Sequence, residues 1–98
     1  MERSAYFYIM ANHRNGTIYL GSTVDLPKRV WDHRTGVVEG CTKTYGCHRL
    51  VWYEASESPE TARLRERQMK DWKRSWKLQE IEGLNPAWDD LYDCIARP

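Results

Sequence analysis

The stretch Tyr6-Phe7-Tyr8-Ile9-Met10 … Thr17-Ile18-Tyr19-Leu20-Gly21 decides the fold. Its first half is aromatic and β-prone, its second half returns the same character, and Asn15-Gly16 between them signals a hairpin. Tyr8 and Tyr19 therefore fall on paired strands, where a hairpin sets two phenols side by side. Arg29 sits on the next element and adds a guanidinium. Two phenols and a guanidinium form a constellation suited to a phosphodiester.

Working outward, Asp25-Leu26-Pro27 starts a helix, with Asp25 as its cap and Pro27 in its first turn. It runs through Lys28, Arg29, Val30, Trp31, Asp32 and His33 and ends at Thr35-Gly36. Leu26 and Val30 share its apolar face, while Arg29 and His33 lie four apart on another. Residues Val37 to Cys47 read as a loop. Arg49-Leu50-Val51-Trp52-Tyr53-Glu54 is nearly continuous in apolar and aromatic character, which suits a third strand buried on both faces. Ser58-Pro59-Glu60 opens a second helix, which carries Ala62, Met69 and Trp72 inward. A break is expected at Arg74-Ser75, with Ser75 capping a shorter helix that bears Leu78 and Ile81 and ends at Gly83. Asn85-Pro86 is a turn, and Trp88, Leu91, Tyr92 and Ile95 pack the C-terminal segment back onto the body. The order β-β-α-β-α-α predicts an α+β fold of the wider α/β class, a small, mostly antiparallel three-stranded sheet flanked by helices.

The 98 residues suit one domain, spanning 1–98, with room for a single core. A hydrophobic fraction of 41% and a charged fraction of 30% are those of a globular chain. No apolar run approaches a membrane span, and Met1 to Ala5 lack the regions of a signal peptide, so the cytoplasm is the default location. The net charge of +1 hides an asymmetry. Between Glu60 and Lys77 seven basic residues stand against three acidic ones, whereas from Glu80 onward five acids face only Arg97. The basic segment reads as a phosphate-facing surface. Cys41, Cys47 and Cys94 are an odd count, which argues for reduced thiols. Cys41, Cys47 and His48 offer three zinc ligands but lack the paired spacing of structural zinc sites.

A hydrolytic nuclease needs an activated water, a Lewis acid, a stabiliser of transition-state charge and a proton for the leaving oxygen. Glu66 is the natural metal ligand, since a lone carboxylate holds magnesium together with waters and phosphate oxygens. Spacing alone favours a plain i,i+4 pair between Glu66 and Lys70. A phenol ionises near ~10, so a tyrosine acting as base needs positive charge nearby, here from Arg29, Lys28 and magnesium.

Taken together these motifs resemble the GIY-YIG nuclease superfamily. Tyr6-Phe7-Tyr8 stands for the first half of its signature and Tyr19-Leu20-Gly21 for the second, with Tyr6 where glycine is usual and Leu20 where isoleucine is. The resemblance runs from Tyr6 to about Leu91. It implies that Arg63-Leu64-Arg65-Glu66-Arg67-Gln68 is the helix bearing the metal-binding glutamate, Glu66. It likewise makes Arg29 the catalytic arginine, His33 an assistant in proton transfer or phosphate binding, and Asn85 a support for the site or its substrate. Tyr8 is expected as the base, with Tyr19 as its partner. The implied reaction is hydrolysis of a DNA phosphodiester in repair or recombination, with magnesium as cofactor and manganese able to substitute. The chain is similar to small stand-alone bacterial relatives of the N-terminal nuclease domain of the excision-repair incision subunit. Lys28, Lys43, Arg63, Arg67, Lys70 and Lys73 are candidates for positioning backbone phosphates. The domain would act as a monomer or weak homodimer, alone or with a targeting protein. The alternatives are a nucleic-acid-binding module that cuts little without a partner, and a protein-interaction domain that uses exposed tryptophans.

Overall fold

The computed structural model describes residues 5–36 and 46–96. Strands β1 (Ala5–Ala11), β2 (Ile18–Thr23) and β3 (Arg49–Ser56) form one sheet in the order β2-β1-β3. Both pairings are antiparallel, so the described sheet is wholly rather than mostly so. Helices α1 (Leu26–Thr35), α2 (Pro59–Lys70) and α3 (Arg74–Leu84) follow the expected order, and a short α4 (Tyr92–Ala96) is added at the end. No described helix is long and apolar enough to cross a membrane.

β1 is central, so its side chains alternate between two cores. Phe7, Ile9 and Ala11 join Leu20, Val51, Trp52, Met69, Ile81 and Trp88 on the face covered by α2 and α3. Tyr8 and Met10 join Leu26, Val30, Cys47 and Leu50 on the face covered by α1, with Leu91, Tyr92 and Ile95 packed around them. Cys47 is buried there, with Sγ 3.6 Å from the Thr17 carbonyl.

The hairpin forms through a longer loop than a two-residue Asn-Gly turn. Ala11 pairs with Ile18, and inside that pair the Gly16 N–H donates to His13 O at 3.0 Å. Asn15 takes the left-handed conformation (φ 59°), and Thr17 N–H donates to Asn12 Oδ1 at 2.9 Å. A Cβ on Gly16 would collide with Asn12 Oδ1, so this glycine supplies space. From α3, Arg74 donates to the carbonyls of Asn15 at 3.0 Å and Gly16 at 2.6 Å, pinning the hairpin tip.

Asp25 caps α1 through Lys28 N–H, and Gly36 ends it in the left-handed conformation (φ 77°). Ser58 caps α2 through Thr61 N–H at 3.2 Å. The start of α3 differs from expectation: the break falls at Asp71–Lys73, and Ser75 lies inside the helix. Asp71 and Trp72 tighten the end of α2 by donating to Gln68 and Met69 carbonyls, and the Lys73 carbonyl then receives Trp76 and Lys77 N–H. Gly83 also stays helical, because Asn85 N–H still closes on Ile81 O at 2.7 Å. Glycine costs only about 1 kcal/mol within a helix, less than burying Ile81 returns.

β3 carries a bulge, since Ile9 pairs with Trp52 and Met10 with Leu50. The bulged residue is Val51, whose carbonyl accepts from Asn85 Nδ2 at 3.1 Å. Leu50 N–H donates to Asp90 Oδ1 at 3.2 Å, and Leu50 O accepts from Leu91 N–H at 2.8 Å. The C-terminal segment thus covers the outer edge of β3 that would otherwise present unpaired groups. Trp88 is fully buried with φ 58°, a conformation unusual for a bulky residue, and its indole N–H donates to Glu82 at 3.1 Å.

Asn85 also accepts from Asp89 N–H at 3.0 Å and donates to Asp89 O at 2.8 Å. Replacing it with alanine strands the Val51 carbonyl in the core. Asn85→Ala should lower the unfolding free energy by about 2–3 kcal/mol, read as a lower urea midpoint with an unchanged slope.

Candidate active site

Tyr8 lies opposite Gly21 in the β1–β2 ladder. Its ring crosses the backbone there: a Cβ on Gly21 would stand 2.6 Å from Tyr8 Oη and 3.0 Å from Tyr19 Cε2. The glycine therefore makes room for the phenol to reach α1. There Tyr8 Oη meets His33 Nε2 at 2.9 Å, and the two groups share one proton in the neutral pair. The Tyr19 ring leans on the same imidazole, with centroids 5.1 Å apart, and stands 6.4 Å from the Tyr8 ring. Tyr8, Tyr19 and His33 thus form one three-ring cluster built from β1, β2 and α1.

Burial separates the two tyrosines. Tyr8 and His33 are each 1% exposed, whereas Tyr19 is half-buried. Burial first, and then the neighbouring Tyr19 and Glu66, hold the Tyr8 phenol well above its ordinary range, with only Arg29 opposing. The expectation that Tyr8 serves as a phenolate base therefore meets a physical obstacle, because the group is kept neutral and away from water. His33 likewise is no helix-surface histidine. Burial and the Arg29 guanidinium lower its pKa to about 4, against a smaller upward effect of Asp32. Its Nδ1 has no hydrogen-bond partner among the described residues.

The charged side chains line a trough beside this cluster. Ser22, Thr23, Val24, Arg29 and Arg63 surround an open pocket between the end of β2, α1 and α2. Arg63 continues into a hollow with Glu66, Arg67 and Lys70, and Arg29 into another with Lys28 and Asp32. Arg29 pairs with no carboxylate among the described residues. Glu66 is mostly covered and bonds Lys70 Nζ at 2.6 Å, the i,i+4 pair its spacing foretold. Lys28 reaches Asp32 at 3.3 Å from a largely exposed position, and Arg63 lies 4.0 Å from Glu60. Among the described residues no three histidine, cysteine or acidic side chains cluster as a metal site.

Residues 4–79 match the GIY-YIG catalytic domain. The chain belongs to the GIY-YIG family. A UPF0213 protein of Bacillus pumilus (strain SAFR-032) is 28% identical over 84 residues, which is 86% of each chain. A UPF0213 protein of Bacillus halodurans, solved by solution NMR, superposes with a TM-score of 0.54 at 29% identity, covering 88% of this chain and 90% of that one. Both relatives are bacterial proteins, and the solved one shares the fold described above.

Of the GIY-YIG residues expected from the sequence, Tyr8, Tyr19 and His33 meet as one ring cluster, and Arg29 and Glu66 line adjoining hollows that share Arg63. Asn85 does not join them. Its amide is spent on the β3 bulge and the turn after α3, so its role here is structural. Lys43 and Cys41 lie outside the described residues. Arg65, counted with the basic segment, forms a bidentate pair with Glu54 of β3 at 3.0 and 3.2 Å and does not face the trough. Ser22 and Val24 line the trough without having been singled out, because a short polar turn after a strand carries no chemical signal of its own.

The buried imidazole sets a pH signature. Between about pH 4 and the ordinary histidine value of ~6.5, the unfolded chain takes a proton that folded His33 refuses. Stability should thus be full above this window and fall as the pH drops through it. Thermal unfolding of the wild type between pH 4 and 7 should show that slope, and His33→Gln should flatten it.

Proposed function

We propose that this domain is a magnesium-dependent DNA endonuclease. The observation that carries the reading is the convergence of Tyr8, Tyr19, Arg29 and Glu66, supplied by four different elements, beside a trough of cations. Packing accounts for the tyrosines but not for Arg29, which has no carboxylate partner among the described residues and so adds little to stability.

Glu66 fits a divalent cation through its donor set. One partly covered carboxylate suits magnesium, which keeps most of its waters and fills remaining positions with phosphate oxygens. Glu66 would hold the ion once released from Lys70, whose ammonium would then be available to a flanking phosphate. When bound, the ion would lower the pKa of water and offset charge on the phosphate. Arg29 would donate to the non-bridging oxygens as their charge grows. Tyr19, the half-exposed phenol, would accept a hydrogen bond from the attacking water and aim it at phosphorus. Tyr8 and His33 would hold the Tyr19 ring from behind, a positioning role that agrees with their burial. Arg63, Arg67 and Lys70 would hold the backbone on either side, contacts that carry no sequence information. A role in DNA repair is compatible with this chemistry, and a separate targeting protein would supply selectivity.

Labelled duplex, branched and single-stranded DNAs incubated with magnesium or manganese test the reading. Wild type should cut, Glu66→Ala should fall to background, and Arg29→Ala should lose on the order of 10²–10³ in rate. Tyr19→Phe should slow cleavage at least tenfold more than Tyr8→Phe. Binding without cutting by the wild type would leave a module that needs a partner, and cutting that survives in Glu66→Ala would place the metal elsewhere.

A further inference from the structure

Beyond the α2 end of the trough stands a tryptophan pair that neither the core nor the site uses fully. Trp76, in the first turn of α3, is 50% exposed. Trp72 meets it edge-on, with ring centroids 6.2 Å apart, and Trp72 is itself packed against the core beneath α2 and α3. The exposed indole is therefore braced on one side by an anchored ring. Lys73 Nζ lies 5.6 Å from the Trp76 centroid, placing a positive charge beside the aromatic surface.

A chain of contacts joins this pair to the proposed metal carboxylate. Lys70 Nζ touches Glu66 at 2.6 Å, and Lys77 Nζ, from the residue next to Trp76, donates to the Lys70 carbonyl at 3.2 Å. The cationic trough ends at Lys70, and Lys73, Lys77 and Trp76 follow it at the turn into α3. A backbone laid along it would carry its next bases over the indole. In a duplex those bases are stacked on each other and turned inward. An unpaired base offers its face, and aromatic rings flanked by cations are how single strands are held without regard to sequence. Trp31 is equally exposed (52%), yet its ring packs toward Tyr92 of α4, whereas Trp76 has the Lys73 ammonium beside it.

We propose that Trp76 is a stacking platform for an unpaired nucleobase, and that the substrates of this domain are DNAs with a single-stranded segment running from the site toward α3. The inference rests on the nuclease reading for its site, and adds the class of DNA that the site takes.

Binding of fluorescent oligonucleotides in EDTA, where nothing is cut, tests the platform separately from catalysis. Trp76→Ala should weaken binding of single-stranded and overhang-bearing DNA about tenfold, the size of one base–aromatic stack, while blunt-duplex binding stays within about twofold. Trp76→Phe should recover most of the loss, and Trp31→Ala should change neither. Matching thermal midpoints establish that Trp76→Ala is folded. Should it not fold, 2-aminopurine placed along the single-stranded segment of a wild-type complex should be quenched at one position and not in the duplex. Equal weakening on all DNAs, no weakening on any, or no quenched position would overturn the platform. Cleavage in magnesium is then scored apart: a wild type that binds single strands through Trp76 but cuts nothing sinks the nuclease reading and leaves the platform standing.

Discussion

The two-residue period of β1 governs the rest of the structure. As the middle strand it has no solvent face, so each of its side chains must belong to one core or the other. Phe7, Ile9 and Ala11 hold α2 and α3 in place, and Tyr8 and Met10 hold α1. The elements bearing Glu66 and Arg29 are therefore set on opposite faces of a single strand. They come together at the end of β2, where Arg29 of α1 and Arg63 of α2 line one pocket. A register slip of one residue would exchange the two faces and dissolve the site along with the cores.

Tyr8 is thus at once a core residue and a member of the site. Among the described residues its hydroxyl bonds only His33, and burial favours the neutral form of both groups. Polar chemistry is confined to the rim, where Tyr19, Arg29 and Glu66 meet the trough. The charge asymmetry of the chain follows the same division. The basic residues of α2 face outward along the trough, apart from Arg65, while Glu82 and Asp90 of the acidic segment serve as acceptors for Trp88, Leu50 and Arg34.

Much of this was legible in the residues because local signals agreed with tertiary demand. Asp25 and Ser58 cap where caps were expected, and the aromatic run at Arg49–Glu54 is buried as its composition requires. The start of α3 was misplaced because Ser75 resembles a cap, whereas the chain turns on the backbone bonds of Asp71 to Lys73, which no side chain announces. Gly83 misled for a related reason, since Ile81 packing outweighs a glycine's reluctance to be helical. Within the site, residue identities were readable but exposure was not. Which tyrosine faces water depends on how the α1 imidazole caps the Tyr8 ring, a relation between β1, β2 and α1 that spacing does not encode. Asn85 was expected at the site only through the resemblance of Asn85 and the residues after it to the C-terminal asparagine region of the family. A bulge at Val51, which spends that amide, has no signature of its own.

The match to the GIY-YIG catalytic domain ends at residue 79, ahead of Ile81, Asn85 and Trp88. Yet Trp88 fills the middle of one core, and residues 90 and 91 seal the open margin of β3. A fragment trimmed to residues 4–79 would keep Tyr8, Tyr19, Arg29, His33 and Glu66 and still lack Trp88 and the segment that covers β3. It would expose an apolar hollow beside a bare strand edge, the combination that invites chains to pair with one another. For this protein, the minimal unit able to fold is longer than the stretch that matches the catalytic domain.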